Sequence, residues 1–320
     1  MKTNLLKPIL SGFVCLAAGM GSPAAPLQRA DVPADPAWLV HIDCDGLRPT
    51  AIGQYLLAEM DKPEAQAKLA AFQALFSLDL RRQLHGATLY STGSAPEDGV
   101  LLLYGDFDPA RLVTLAKAAK DSQNTNYNQH VIYNWIDEKK KPRNGVQPRV
   151  YAAVQGNHMV IFGQREARVA EALDVLDHTV TNLAGSKAFP QLGAPGDVSF
   201  IEAAARKLDL PDSDPNAAMF RLSKLVRFQL GEAQGQVSGT LTLEANDEEV
   251  AQNMASIGQG LLALMKLQKE KPESVKLATA LSLKQDGASV VVTLAMPADD
   301  AVELMKADAA RKAQKKEQTP

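Results

Sequence analysis

The 320-residue chain predicts an α+β fold of two similar halves, each a mostly antiparallel sheet with helices packed on one face. Three observations predict it. Short apolar or alternating runs come in pairs around turn residues, as in hairpins. Amphipathic helical stretches separate those pairs. The order strand, helices, hairpin, helix, hairpin, helix occurs over 38–178 and again over 197–310, which suggests an internal duplication. Hairpin connections argue against a doubly wound parallel sheet.

Residues 1–24 read as a signal peptide. Lys2 and Lys7 form a positive end, Pro8 to Met20 is uncharged and mostly apolar, and Ser22-Pro23-Ala24 places small residues before a cut after Ala24. The apolar run is too short to span a bilayer. Gly12-Phe13-Val14 is a poor context for lipoprotein processing at Cys15. The expected location is therefore periplasmic or extracellular. Cleavage leaves Cys44 as the sole cysteine, so no internal disulfide forms. No later stretch is long and apolar enough to span a membrane.

Residues 25–37, with Pro26, Pro33 and Pro36, read as an extended leader. Trp38–Cys44 is the first strand, with Trp38, Val40, Ile42 and Cys44 on one face. Thr50 caps a helix through Met60, and Pro63 starts a second helix carrying Leu69, Phe72, Leu75 and Phe76. Ala87–Ser91 and Val100–Tyr104 are strands. The run 100–103 is apolar at every position, so coverage on both faces is expected. Asp108-Pro109 opens a helix to Lys120, and a polar loop spans Asp121–Gln129. His130–Ile136 is a strand, Lys139–Gly145 a basic loop, and Val150–Val154 with His158–Phe162 a hairpin. Glu166–Leu176 closes the first half as a helix.

Residues 179–196, rich in Gly and Pro, read as a linker. The second half, 197–310, opens with a strand near Val198–Ala203, followed by a loop at Pro211–Pro215. Arg227–Gly231 and Gln236–Glu244 form a hairpin. Asn246 and Glu249 resemble a capping box before a long helix with the stripe Val250, Met254, Ile257, Leu261, Leu264. Leu277–Leu283 and Ala288–Ala295 read as strands, Asp299–Ala310 as the last helix, and 311–320 as a charged tail.

Composition bounds function. The chain is 46% apolar and 22% charged, with 34 basic and 37 acidic residues, which is ordinary for a globular protein and excludes a globally basic nucleic-acid binder. Gly-x-Gly-x-x-Gly, Walker, Gly-x-Ser-x-Gly and His-Glu-x-x-His motifs are absent. Four constellations stand out. His41, Asp43 and Asp45-Gly46 share the end of the first strand, but Leu47-Arg48-Pro49 adds no oxygen ligand for Ca²⁺. Tyr133, Trp135 and Asp137 share a strand face and suit either sugar stacking or core packing. His41, His85, His130, His158 and His178 lack ligand spacing. Lys139–Arg143 and Arg311–Lys316 suit solvated loop and tail, or an anionic surface. Two flanking aspartates keep the Cys44 thiol protonated.

Ala37-Trp38-Leu39-Val40-His41-Ile42-Asp43, Asn134-Trp135-Ile136-Asp137-Glu138-Lys139-Lys140 and Phe162-Gly163-Gln164-Arg165-Glu166-Ala167-Arg168-Val169 resemble stretches of a group of uncharacterised exported bacterial proteins. The resemblance covers mainly the first half and implies export and fold, with no assigned activity. The expectation is an exported, non-catalytic cell-envelope protein acting by binding to a protein or envelope component, with no cofactor, metal or nucleic acid. Two alternatives are a hydrolase or carbohydrate-active protein with carboxylates such as Asp43, Asp106 or Asp137 between the halves, and an inhibitor or chaperone-like partner using a sheet edge.

Overall fold

The computed structural model describes residues 26–142, 145–194, 198–206, 218–268 and 270–317. The signal-peptide segment, Cys15, Arg143 and the loop at 211–215 lie outside the described residues, as does the end of the tail. Among the described residues no helix is long and apolar enough to cross a membrane.

The first half holds β1 (Trp38–Asp43), α1 (Cys44–Leu47), α2 (Ala51–Met60), α3 (Pro63–Phe76), β2 (Leu84–Ser91), β3 (Gly99–Gly105), α4 (Pro109–Ala118), β4 (Gln123–Tyr127), β5 (His130–Ile136), β6 (Arg149–Gln155), β7 (Met159–Gly163) and α5 (Glu166–Leu176). The second holds β8 (Ser199–Arg206), α6 (Ala218–Arg221), β9 (Ser223–Ala233), β10 (Gln236–Ala245), α7 (Glu248–Leu267), α8 (Pro272–Ala280), β11 (Leu281–Asp286), β12 (Ser289–Pro297) and α9 (Ala298–Glu317). The fold is α+β, and the two halves share one antiparallel sheet of twelve strands, ordered β11-β12-β10-β9-β8-β1-β2-β3-β7-β6-β5-β4. They join where β1 pairs with β8, Val40 opposite Ala203.

Three local differences have physical reasons. Gln123–Tyr127, expected as loop, pairs with β5 as an edge strand, where its polar side chains stay in water. Residues 277–280, expected as the start of a strand, end a helix instead: Pro272 takes its first turn and the strand begins only at Leu281. Asp247, one residue beyond the expected Asn246, caps α7 through Val250 N–H at 2.8 Å.

The sheet has two unlike faces. On the closed face, Leu39, Tyr90, Leu102, Ile132 and Ile161 pack with Val169 and Leu173 of α5. Leu27 and Val32 of the leader and Leu183, Phe189 and Leu192 of the connector complete that core. The stretch that reads as a linker is therefore a strap. Arg29 Nη1 and Nη2 donate to the carbonyls of Phe189, Leu192, Leu183 and Ala188 at 2.7–3.1 Å. Gly193 N–H donates to Glu202 Oε2 at 2.7 Å.

Helices cover the open face at both ends. α4 packs on β5 and β6. α7 packs on Val226, Leu243 and Val290, and α2 and α9 pack on Phe200, Val237 and Met296. Glu232 of β9 caps α2 by accepting from Ala51 and Ile52 N–H at 2.8 and 3.2 Å, tying a first-half helix to a second-half strand. At the sheet centre, Ile42 and Leu89 are 37% and 40% exposed. The apolar run of β3 splits accordingly: Val100 and Leu102 are buried on the closed face, while Leu101 and Leu103 are half-buried on the open one.

Candidate functional site

Strand register builds a row of apolar side chains across the open face. Tyr133 faces Ala152, Ala152 faces Phe162, and Phe162 faces Leu101. Leu101 faces Leu89, Leu89 faces Val40, and the row continues through Ala203 to Phe228. Strand alternation puts every one of these on the same side.

At the Tyr133 end the row becomes the floor of a cavity of about 270 Å³. Tyr133, Trp135, Ala152, Val154, Val160 and Phe162 rise from β5, β6 and β7. Leu112, Leu115, Ala116 and Ala119 of α4 and its C-terminal cap form one wall, and Leu75 and Phe76 of α3 the other. No lining residue carries a charge. The wall helix α3 is alanine-rich and buries none of its residues. Its Phe72 and Phe76 rings stack with centroids 4.4 Å apart. Arg111 of α4 holds its C-terminus, with Nε donating to Leu75 O at 2.8 Å and Nη2 to Ala74 O at 3.2 Å. Ser77 then turns the chain with φ 55°.

The sequence candidates divide. Tyr133 and Trp135 line the cavity; Asp137 does not, and instead accepts from Lys139 N–H at 3.1 Å in the following turn. The sugar-stacking arrangement therefore lacks its carboxylate. His41 is buried on the closed face, its Nδ1 2.8 Å from Thr88 Oγ1. Asp43 caps α1 through Gly46 N–H at 2.8 Å, and burial pushes its carboxyl up to about 6 against that hydrogen bond. Asp45 binds Arg48 at 2.6 Å and His85 Nδ1 at 2.9 Å. His85 Nε2 lies 3.3 Å from Asp106 without hydrogen-bond geometry, so Asp106 meets Asp45 only across an imidazole. Arg48 also donates to Arg81 O and Leu84 O, which makes this cluster a staple between α1 and β2. Burial pushes the Cys44 thiol up, with Arg48 opposing and both aspartates adding, so the thiol stays protonated.

His130 Nε2 is 2.8 Å from Asp177, and among the described residues no group of three or more His, Cys, Asp or Glu is placed to hold a metal ion. The basic loop contributes Lys140, which donates to Gln164 at 2.5 Å. Arg311, in the other basic segment, pairs with Asp308 at 2.5 Å. Of the cavity lining, Tyr133 and Trp135 stand out in the sequence as aromatics on one strand face, whereas the α3 and α4 walls do not. The available signal was α3 itself, where five alanines leave too little side-chain volume to fill the space beneath a helix.

Scans against family models and curated proteins match nothing. Among solved structures, the chain is similar to crystal form III of TP0453. The TM-score is 0.50 at 7% identity, over 89% of this chain and 100% of that one. Crystal form I of TP0453 gives a TM-score of 0.47 at 10% identity, over 90% and 99%. Identity this low speaks for the fold alone.

Proposed function

We propose that the chain is an exported, non-catalytic envelope protein that binds a hydrocarbon-rich ligand in the cavity beneath α3 and α4. The observation carrying this reading is the wholly uncharged lining, held open where the floor of the sheet is already apolar. Apolar cavities of about 150 Å³ stay dry and accept benzene-sized guests, so about 270 Å³ suits a longer alkyl segment. A ligand too long for the cavity continues over Leu101 and Leu89, whose side chains extend the same row.

Trp135 supplies the test, because the chain has 2 tryptophans and Trp38→Phe leaves Trp135 as sole reporter. Titration with saturated fatty acids is expected to shift Trp135 emission saturably and raise the melting temperature. Ala116→Trp, which fills the cavity from α4, is expected to abolish both. No shift for any chain length, or an unchanged response in the filled variant, would refute the reading.

A further inference from the structure

Helix α7 is built with its side chains inverted. Against the sheet it places Ala251, Met254, Ala255 and Gly258, all buried. A Cβ on Gly258 would lie 2.4 Å from Leu283 Cδ1, so close helix–sheet approach requires the small residue there. The larger side chains face water: Ile257, Leu261, Leu264 and Leu267 are 46%, 49%, 60% and 71% exposed. Only Met254 of the stripe's later members is buried, so the sequence stripe marks a second apolar face. Asn253, Ile257, Gly260, Leu264 and Leu267 recur at spacings of four and three, the period of a helix-pairing seam. Gly260 sits at its middle with open space around it.

We infer that this face pairs with the same face of a second copy, α7 against α7 in antiparallel fashion about a two-fold axis beside Gly260. Charge selects this occupant and orientation. Asp247 at the cap and Glu248 and Glu249 in the first turn make one end acidic, while Lys266 and Lys271 stand at the far end, offset in part by Glu270 and Glu273. An antiparallel partner brings each acidic end to the other's basic end and opposes the helix dipoles favourably. A two-fold at this point sets Ile257 against the partner's Leu264 and Glu249 near the partner's Lys271. Glycine at the crossing lets the backbones approach. One helix is a small interface, so the dimer is weak and concentration-dependent.

Sedimentation velocity of the purified chain over a concentration series tests this. A reversible dimer is expected, with Ile257→Glu and Leu264→Glu each raising the dissociation constant more than tenfold. Both side chains project into water, so unchanged circular dichroism and melting temperature will separate lost pairing from lost folding. Glu249→Lys should weaken the dimer by setting lysine against lysine, and adding Lys271→Glu should restore it. A chain that stays monomeric to about 100 μM would overturn the inference. So would a dimer indifferent to the glutamate variants, or a monomer that floats with phospholipid vesicles through these leucines.

Discussion

Two neighbouring residues of β1 and two of β2 reverse the usual sorting. On the closed face His41 and Thr88 are 1% and 0% exposed; on the open face Ile42 and Leu89 are 37% and 40% exposed. Side-chain polarity therefore does not decide which side of the central sheet lies inside. Coverage does, and it comes from α5 together with the leader and the connector, the last two lying outside both hairpin-rich halves. Those segments bring their own polar partners. Tyr104 OH donates to Asp31 at 3.1 Å, and Arg29 and Glu202 bind strap backbone. The polar groups of Tyr104, Arg29 and Glu202 are thus satisfied, whereas the buried Tyr90 hydroxyl on the same face has no hydrogen-bond partner. The aliphatic side receives no equivalent cover, and it leads into the cavity where Tyr133 and Trp135 gather.

The largest effect should come from truncating either side of this contrast. Leu102, fully buried beneath the strap, should lose about 3–4 kcal/mol as Leu102→Ala. Leu89→Ala, on the adjacent strand but facing out, should lose less than about 1 kcal/mol. Urea denaturation of both variants measures the difference. Equal losses would mean that the open face is covered in solution and would end the comparison.

Next in size is the strap itself. Arg29→Met strands four carbonyls that the guanidinium now satisfies and should cost about 2–3 kcal/mol. It should also open the connector to proteolysis between residues 179 and 194 before global unfolding. Cleavage rates at an early time point, resolved by mass spectrometry, check the location. A variant that loses stability without local cleavage would show that the strap unfolds only with the sheet.

These contrasts mark what the sequence could and could not reveal. The hairpins, the antiparallel class and most helix starts were legible, because turn residues, caps such as Thr50 and Asp108, and period-two runs act locally. Period two also sorted His41 from Ile42 correctly into opposite faces. It could not say which face would be covered, since that depends on packing between segments some 150 residues apart, as with Arg29 and Leu183. For the same reason the glycine- and proline-rich connector looked like a linker although Phe189 and Leu192 are core. On α7 the apolar stripe was real, yet Gly258 and the alanines won the sheet contact by size. Tyr133 and Trp135 were visible as aromatics on one strand face; the space above them was set by two helices whose placement no local pattern encodes.

A smaller effect separates the faces by pH. Burial lifts the Asp43 carboxyl to about 6, whereas an unfolded chain holds aspartate near 3.9. The native state therefore keeps this proton to higher pH than the unfolded state. Its contribution is fully present below about pH 4 and is lost as pH rises through about 6. Asp43→Asn should remove that loss, leaving wild type about 1–2 kcal/mol less stable relative to the variant at neutral pH than at about pH 4. Asn retains an acceptor for the Gly46 cap, which isolates the charge. Parallel pH curves for the two proteins would contradict a buried carboxyl.

The smallest change in stability carries the sharpest consequence for binding. Leu89→Thr keeps β-sheet preference and trims an exposed side chain, so folding should change by less than about 0.5 kcal/mol. If a bound alkyl chain leaves the cavity along the row Phe162, Leu101, Leu89, the variant withdraws apolar contact only from the distal methylenes. Each buried methylene is worth about 0.8 kcal/mol. Loss of roughly one such contact should weaken palmitate about threefold to fourfold in the Trp135 titration. Octanoate, short enough to stay among Tyr133, Ala152 and Val154, should bind as before. The chain-length dependence is the discriminating feature, because a general loosening of the sheet would weaken both ligands alike. Equal weakening would confine Leu89 to a structural role and detach the open centre of the sheet from the cavity.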